Sequence, residues 1–263
     1  MDIQPLLTRQ AYSAAYQLSP PKGCYKQETA QAVQSNDFIC SLQNDHKKLS
    51  PGIEFLGLLD KLLVRQKLEM MEILTGIEMK NQYSISSCNG EVIFSASEES
   101  DFCDRNCCPG SMRPFDIGIQ DTRGRVVMMF SRRLACDSCC FPCSMQRMEI
   151  ASPPGTVVGY IMQEWSLFHP KFRVEDASGE VVMRIEGPFW KVSCGESIDF
   201  SILSADASCL IGKIRKLWSG LANEVFSDAE NYEITFPLHL DVHLKSVILG
   251  ACFLIDFMYY ESV

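Results

Sequence analysis

The stretch KFRVEDASGEVVMRI, residues 171–185, reads in steps of two. Phe172 and Val174 alternate with Lys171, Arg173 and Glu175. After Ala177-Ser178-Gly179, Val181, Met183 and Ile185 alternate in the same way. Successive side chains of a strand point to opposite faces, so this spacing buries one face and wets the other. With a glycine-bearing turn between them, the two halves predict a β-hairpin.

The rhythm recurs on both sides. YSIS and EVIFSA flank Asn89-Gly90, a pair that suits the type I′ turn; DIGIQ and RVVMMF flank Asp121-Thr122-Arg123-Gly124. MEIAS and VVGYIM flank Pro153-Pro154-Gly155-Thr156, and SIDFSIL and CLIGKI flank residues 204–208. Five hairpins give about ten strands, and an open antiparallel sheet that wide tends to curl or close. The expected fold class is mainly β, a closed antiparallel barrel. Before the hairpins, IEFLGLLDKLLVRQKLEMMEILTG (53–76) fits helix and strand templates alike. After them, KLWSGLANEVF puts Trp218, Leu221 and Val225 on one helical stripe, and DAENYE (228–233) reads as a polar loop.

Residues 1–50 are polar, hold Pro20-Pro21 and keep no apolar period, so they read as a flexible leader to a 51–263 domain. The start MDIQPLLTRQ lacks the charged and apolar regions of a secretory signal, and most of the thirteen cysteines in a chain that is not exported read as thiols and not as a disulfide framework. A net charge of -9 argues against a nonspecific nucleic-acid binder, which needs a broad cationic face.

Three clusters bear chemistry. In CDSCCFPC, Cys136, Cys139, Cys140 and Cys143 follow Arg132-Arg133. They read as zinc knuckles, as buried thiols or as S-acylation sites; the adjacent arginines and Phe141 favour acylation, because basic residues hold a loop at an anionic leaflet while acyl chains add apolar area. A twelve-residue calcium loop starting at Asp228 has ligand positions Asp228, Glu230, Tyr232, Ile234 through its carbonyl, Phe236 and His239. The competing reading is a solvated acidic loop, since Glu233 stands where glycine makes the sharp turn and His239 where a bidentate carboxylate belongs. Lys213, Arg215 and Lys216 form a cationic run in GKIRKLWSGL, either an ordinary solvated edge or a headgroup or import patch. No phosphate loop, nucleophile elbow or other enzyme constellation emerges, so lipid or partner binding is favoured over catalysis.

Taken in order, PGIEFLGLLD, RPFDIGIQD, CDSCCFPC, MEIASPPGTVVGYIMQEW with KFRV, IGKIRKLWSGLANEVFSDAENY and DVHLKSVILGACFLIDFMYYE resemble the phospholipid scramblase family from Pro51 to Glu261. The resemblance implies ATP-independent, calcium-stimulated, bidirectional movement of phospholipids between leaflets, with membrane phospholipids as substrate. It implies palmitate on Cys136, Cys139, Cys140 and Cys143, Ca2+ on the Asp228–His239 segment, and a nonclassical nuclear import signal over Lys213, Arg215 and Lys216. The implied fold is Tubby-like, about twelve strands around a hydrophobic C-terminal helix, 244–260. The implied location is a membrane, the plasma membrane with a cytoplasmic N-terminus, or the nucleus without acylation; a homo-oligomer is an expected partner. The family pattern of Asp, Gly and Asp in the calcium segment is replaced by Glu230, Glu233 and His239. The short leader lacks the proline-rich tract that SH3 or WW partners read. The rival class is an acylated Tubby-like binding module that transports nothing.

The stretch VILGACFLIDFMYY, Val247–Tyr260, divides these models. Its helix face includes Val247, Ile248, Leu249, Phe253, Leu254, Ile255 and Phe257. Fourteen helical residues rise about 21 Å against a hydrocarbon layer of about 30 Å, which suits a core helix. Extension to Val242 reaches spanning length but carries His243, Lys245 and Asp256 into lipid. For the spanning reading, Lys245 sets an N-terminus-in orientation and Tyr259-Tyr260 suit an interface.

Overall fold

The computed structural model describes residues 52–67, 80–100, 114–133, 145–189, 197–217 and 231–260. Twelve strands make a closed antiparallel barrel: β1 (Lys61–Lys67), β2 (Gln82–Ser87), β3 (Val92–Glu99), β4 (Phe115–Asp121), β5 (Val126–Arg132), β6 (Arg147–Ala151), β7 (Val157–Glu164), β8 (Lys171–Asp176), β9 (Val181–Glu186), β10 (Ile198–Ser204), β11 (Leu210–Leu217) and β12 (Asn231–Thr235). Each strand pairs with its neighbours in sequence. β12 closes on β1, with Leu62 opposite Ile234 and Val64 opposite Tyr232. Among the described residues no edge strand is left to template aggregation.

The five predicted hairpins are β2–β3, β4–β5, β6–β7, β8–β9 and β10–β11, and local chemistry accounts for their turns. In two of them an aspartate closes a four-residue turn through its own carboxylate: Asp121 Oδ1 accepts from the amides of Arg123 and Arg125, and Asp176 Oδ1 from those of Ser178 and Glu180. Such Asx turns replace backbone partners with side-chain oxygens. Gly124 and Gly179 take the positive φ that each turn needs, +74° and +86°. In an up-and-down barrel all five turns fall at one rim, the turn end. The odd-to-even connections leave from the opposite rim, the far end.

Two sequence readings are corrected. The 53–76 segment is neither one helix nor one strand: a short 3-10 turn, Glu54–Leu58, precedes β1, and residues 68–79 lie outside the described residues. The supposed polar loop 228–233 gives way to strand from Asn231 onward, because Tyr232, Ile234 and Phe236 keep a period of two facing inward. Trp218, Leu221 and Val225 lie outside the described residues.

Eight strands leave an interior that side chains alone can fill; twelve leave a wider bore. Here the bore holds the helix α1 (Val242–Tyr259), and every residue from Lys245 to Met258 is buried. Inward strand residues such as Ile85, Phe130, Ile161 and Ile214 pack on it in a single apolar core. A helix buried on all sides keeps no polar stripe, which explains its uniform apolarity. Close approach is set by Gly250, where an added Cβ would lie 2.9 Å from Ile150 Cγ1 and 3.2 Å from Met148 Cε. On β7, a Cβ at Gly159 would lie 2.6 Å from the Glu175 carbonyl oxygen and 2.7 Å from Val247 Cγ2.

Candidate functional site: the two ends of the central helix

The helix begins at the turn end. Asp241 caps it, its carboxylate accepting from the amides of His243 (2.9 Å) and Leu244 (3.1 Å). One turn on, Lys245 Nζ donates to three backbone carbonyls: Leu56 at 2.9 Å, Leu59 at 2.7 Å and Leu238 at 2.7 Å. Three acceptors match the three N–H bonds of an ammonium, and the Phe236 ring lies 5.0 Å below the charge. Burial pushes the Lys245 ammonium down to about 8, against the opposing fields of Asp60 and Asp241. The cage thus ties the helix start to the 3-10 turn before β1 and to the loop after β12.

At the far end the helix carries the one acid of its apolar stretch. Asp256 is buried, and each carboxylate oxygen accepts from a tyrosine: Tyr83 on β2 at 2.8 Å and Tyr232 on β12 at 2.7 Å. Both bonds are fully enclosed, which makes them costly to leave unmade. Above them Lys216 Nζ sits 3.8 Å from the Tyr260 ring centroid and 5.7 Å from that of Tyr232. Phe115 and Phe257 pack at 4.0 Å and Phe172 meets Tyr259 edge-on, so aromatic rings line the mouth. Sequence reasoning missed Tyr83 and the inward placement of Lys216 and Lys245. The available signal was a tyrosine at an inward strand position, since such a hydroxyl needs a buried partner.

The sequence-predicted sites fare differently. Asp228 and Glu230 lie outside the described residues. Tyr232, Ile234 and Phe236 are core side chains of β12 and its continuation, and Ile234 sits in the ladders to both β1 and β11. A calcium loop must curl its first and last positions onto one ion. Here five extended residues, about 16 Å of strand, separate the far-end side of β12 from the turn end, where exposed His239 sits. The described residues of this set do not fit a twelve-residue calcium loop, and among the described residues no group of three or more acidic, histidine or cysteine side chains converges as a metal site.

Lys213, Arg215 and Lys216 are brought together on β11 but not on one face. Lys213 and Arg215 point outward to Asp199, at 3.1 Å, and at 2.6 and 3.0 Å, while Lys216 points inward. The Arg215 guanidinium, followed by the Lys213 ammonium, holds the Asp199 carboxyl below the usual carboxylate range. The three cations therefore form no single surface patch while β11 stays in the sheet. Cys136, Cys139, Cys140 and Cys143 lie outside the described residues; the strand ends that their segment joins, at Arg133 and Met145, are at the far end. Val247, Ile248, Leu249, Phe253, Leu254, Ile255 and Phe257 all line the interior of the barrel, each at most 1% exposed. α1 is long and apolar enough to cross a membrane by composition, yet in this fold it is the core. Lys245, which set the orientation in the spanning reading, is enclosed.

A family model described as Scramblase matches residues 40–262. The chain belongs to the scramblase family. Among curated relatives of this scramblase-family chain, it is 46% identical over 212 residues to Phospholipid scramblase 1 of Homo sapiens, covering 81% of this chain and 66% of that protein. It is 48% identical over 211 residues to Phospholipid scramblase 2 of Bos taurus, covering 80% and 72%. It is 41% identical over 213 residues to Phospholipid scramblase family member 5 of Homo sapiens, covering 81% and 78%. The chain spans just under two thirds of the length of the first relatives it matches, 66%, 64% and 63%. No solved structure matches.

Proposed function

We propose that this scramblase-family chain is a membrane-associated phospholipid scramblase that moves lipid between leaflets in both directions without ATP. The observation that carries the reading is its identity of 46% and 48% to relatives named phospholipid scramblase, over four fifths of the chain. In this reading the barrel sits at the cytoplasmic face of a membrane, the plasma membrane, with its N-terminus in the cytoplasm. Palmitate on Cys136, Cys139, Cys140 and Cys143 supplies the second anchoring signal that one acyl chain lacks. With α1 inside the barrel, a single copy has no hydrophilic groove through the bilayer. Lipid then moves either along a path between several copies or through bilayer perturbed from one side. Calcium stimulation, and nuclear import without acylation, are supported by the family resemblance alone.

The buried α1 favours a second reading, an acylated barrel that binds lipid or partners and transports nothing. Flux separates them. Purified chain is reconstituted at known copy number in vesicles with a fluorescent lipid in both leaflets, and a membrane-impermeant reductant is added without ATP, with and without calcium. Scrambling predicts that more than half of the dye is bleached. Loss of the outer half alone, as in protein-free vesicles, would leave the binding module.

A further inference from the structure

Nine large apolar side chains are exposed among the described residues. Five of them, Phe55, Val92, Val126, Leu210 and Leu238, belong to the turn end. The other four cluster at the far end. Trp165 (53% exposed), Leu167 (67%) and Phe168 (59%) stand on the β7–β8 connection, and Phe189 (50%) stands just beyond β9. Phe168 and Phe189 stack at 5.8 Å and 16°, and both remain half or more exposed. The two connections are pinned together, the Gly187 amide donating to the Pro170 carbonyl at 2.8 Å.

We infer that Trp165, Leu167, Phe168 and Phe189 form an aromatic wedge that inserts into the interfacial layer of a phospholipid bilayer. The inference rests on the lipid reading above and names the part of the barrel that meets the lipid. Three observations commit the wedge to this occupant. Trp and Phe with a leucine at a loop tip are the side chains that partition into the headgroup–acyl boundary. The acids beneath the tip are already paired, Glu164 with Arg184 and Glu186 with Lys171 at 2.8 Å, so the base of the wedge brings no bare negative charge to an anionic leaflet. The turn end, by contrast, presents Glu91, Asp176, Glu180 and Asp206, while its Asp121 is paired with Arg125 at 2.7 Å. Finally, the chain that follows the cysteine-rich segment re-enters the barrel beside the wedge. Gln146 and Gln163 exchange bonds, the Gln163 amide to the Gln146 carbonyl at 2.8 Å and the Gln146 amide to Gln163 Oε1 at 3.0 Å, two residues before Trp165. The strand ends that the cysteine-rich segment joins thus lie at the same rim as the wedge.

The test uses full-length chain purified without acylation and vesicles of phosphatidylcholine with phosphatidylserine. The wedge predicts that L167S/F168S/F189S, with an unchanged melting temperature, loses about tenfold or more in vesicle partitioning. It also predicts that brominated acyl chains quench tryptophan emission and that W165F removes much of that quenching; this arm needs no folded triple variant. Undiminished vesicle binding by the triple variant, or quenching that survives intact in W165F, overturns the wedge. So does a dimer that the triple variant dissolves while vesicle binding stays the same, which would make the patch a contact between copies. Wild type that binds through the wedge yet moves no lipid sinks the scramblase reading and leaves the wedge standing.

Discussion

At the scale of the residue, Asp256 and Lys245 make opposite predictions for the two lives of α1. In a bilayer, an aspartate at depth costs about 3 kcal/mol, so Asp256→Leu would favour insertion. In the barrel, the same change removes the buried carboxyl that accepts from the Tyr83 and Tyr232 hydroxyls. We therefore expect D256L to destabilise the fold by about 2–5 kcal/mol, read from urea denaturation of the purified chain. Unchanged or increased stability would rule out the enclosed carboxylate. Lys245→Met leaves three carbonyls facing an apolar side chain and should cost about 2–4 kcal/mol.

Lys245 also gives a pH signature. Its folded value of about 8 lies below the ordinary 10.5, so between these values the unfolded chain binds more protons than the folded one. Stability contributed by this group therefore rises as pH increases through about 8 to 10.5, and the gap between wild type and K245M widens across that window. A gap that stays flat would place the ammonium in water. Asp199 has the same sign at lower pH. Its carboxyl is depressed by Arg215, so its contribution is present above the ordinary carboxylate range and fades as pH falls through it.

At the scale of the element, the period-two alternation made the five hairpins legible, because turn chemistry and pattern agreed at each. What stayed illegible has physical causes. Leu62 and Val64 of β1 sit in a run rich enough in leucine to satisfy helical spacing as well, and only pairing with β12 and β2 decides the matter. β12 was hidden by the acidic residues ahead of it, although Tyr232, Ile234 and Phe236 carry the strand period. The cation run on β11 looked like one patch because spacing in sequence does not reveal the alternation that sends Lys216 inside and Lys213 and Arg215 out. For α1 itself, burial within a barrel and burial within lipid demand the same composition. Its glycine discriminates between them. Gly250→Val drives methyl groups into Ile150 and Met148 and should destabilise the barrel by about 1–3 kcal/mol, which thermal melting of the soluble chain would detect. A lipid-facing helix would tolerate that change.

At the scale of the whole molecule, closure removes every sheet edge and confines the chain's apolar helix to the bore, so attachment to a membrane falls to what the far end presents. On this account the cysteine-rich segment is the covalent anchor, and replacing Cys136, Cys139, Cys140 and Cys143 together with alanine should move the chain from the membrane fraction to the soluble fraction of lysed cells. Retention in the membrane, resistant to alkaline carbonate, would show that something else holds it there. α1 fills the barrel, and a helix so enclosed crosses no bilayer. The decisive measurement is an epitope tag placed after Val263 and a second before Met1, each probed by antibody in intact and in permeabilised cells. The enclosed helix predicts that both tags are reached only after permeabilisation, because both ends lie on one side. A C-terminal tag stained on intact cells would contradict it, for α1 would then have left the barrel to span the membrane.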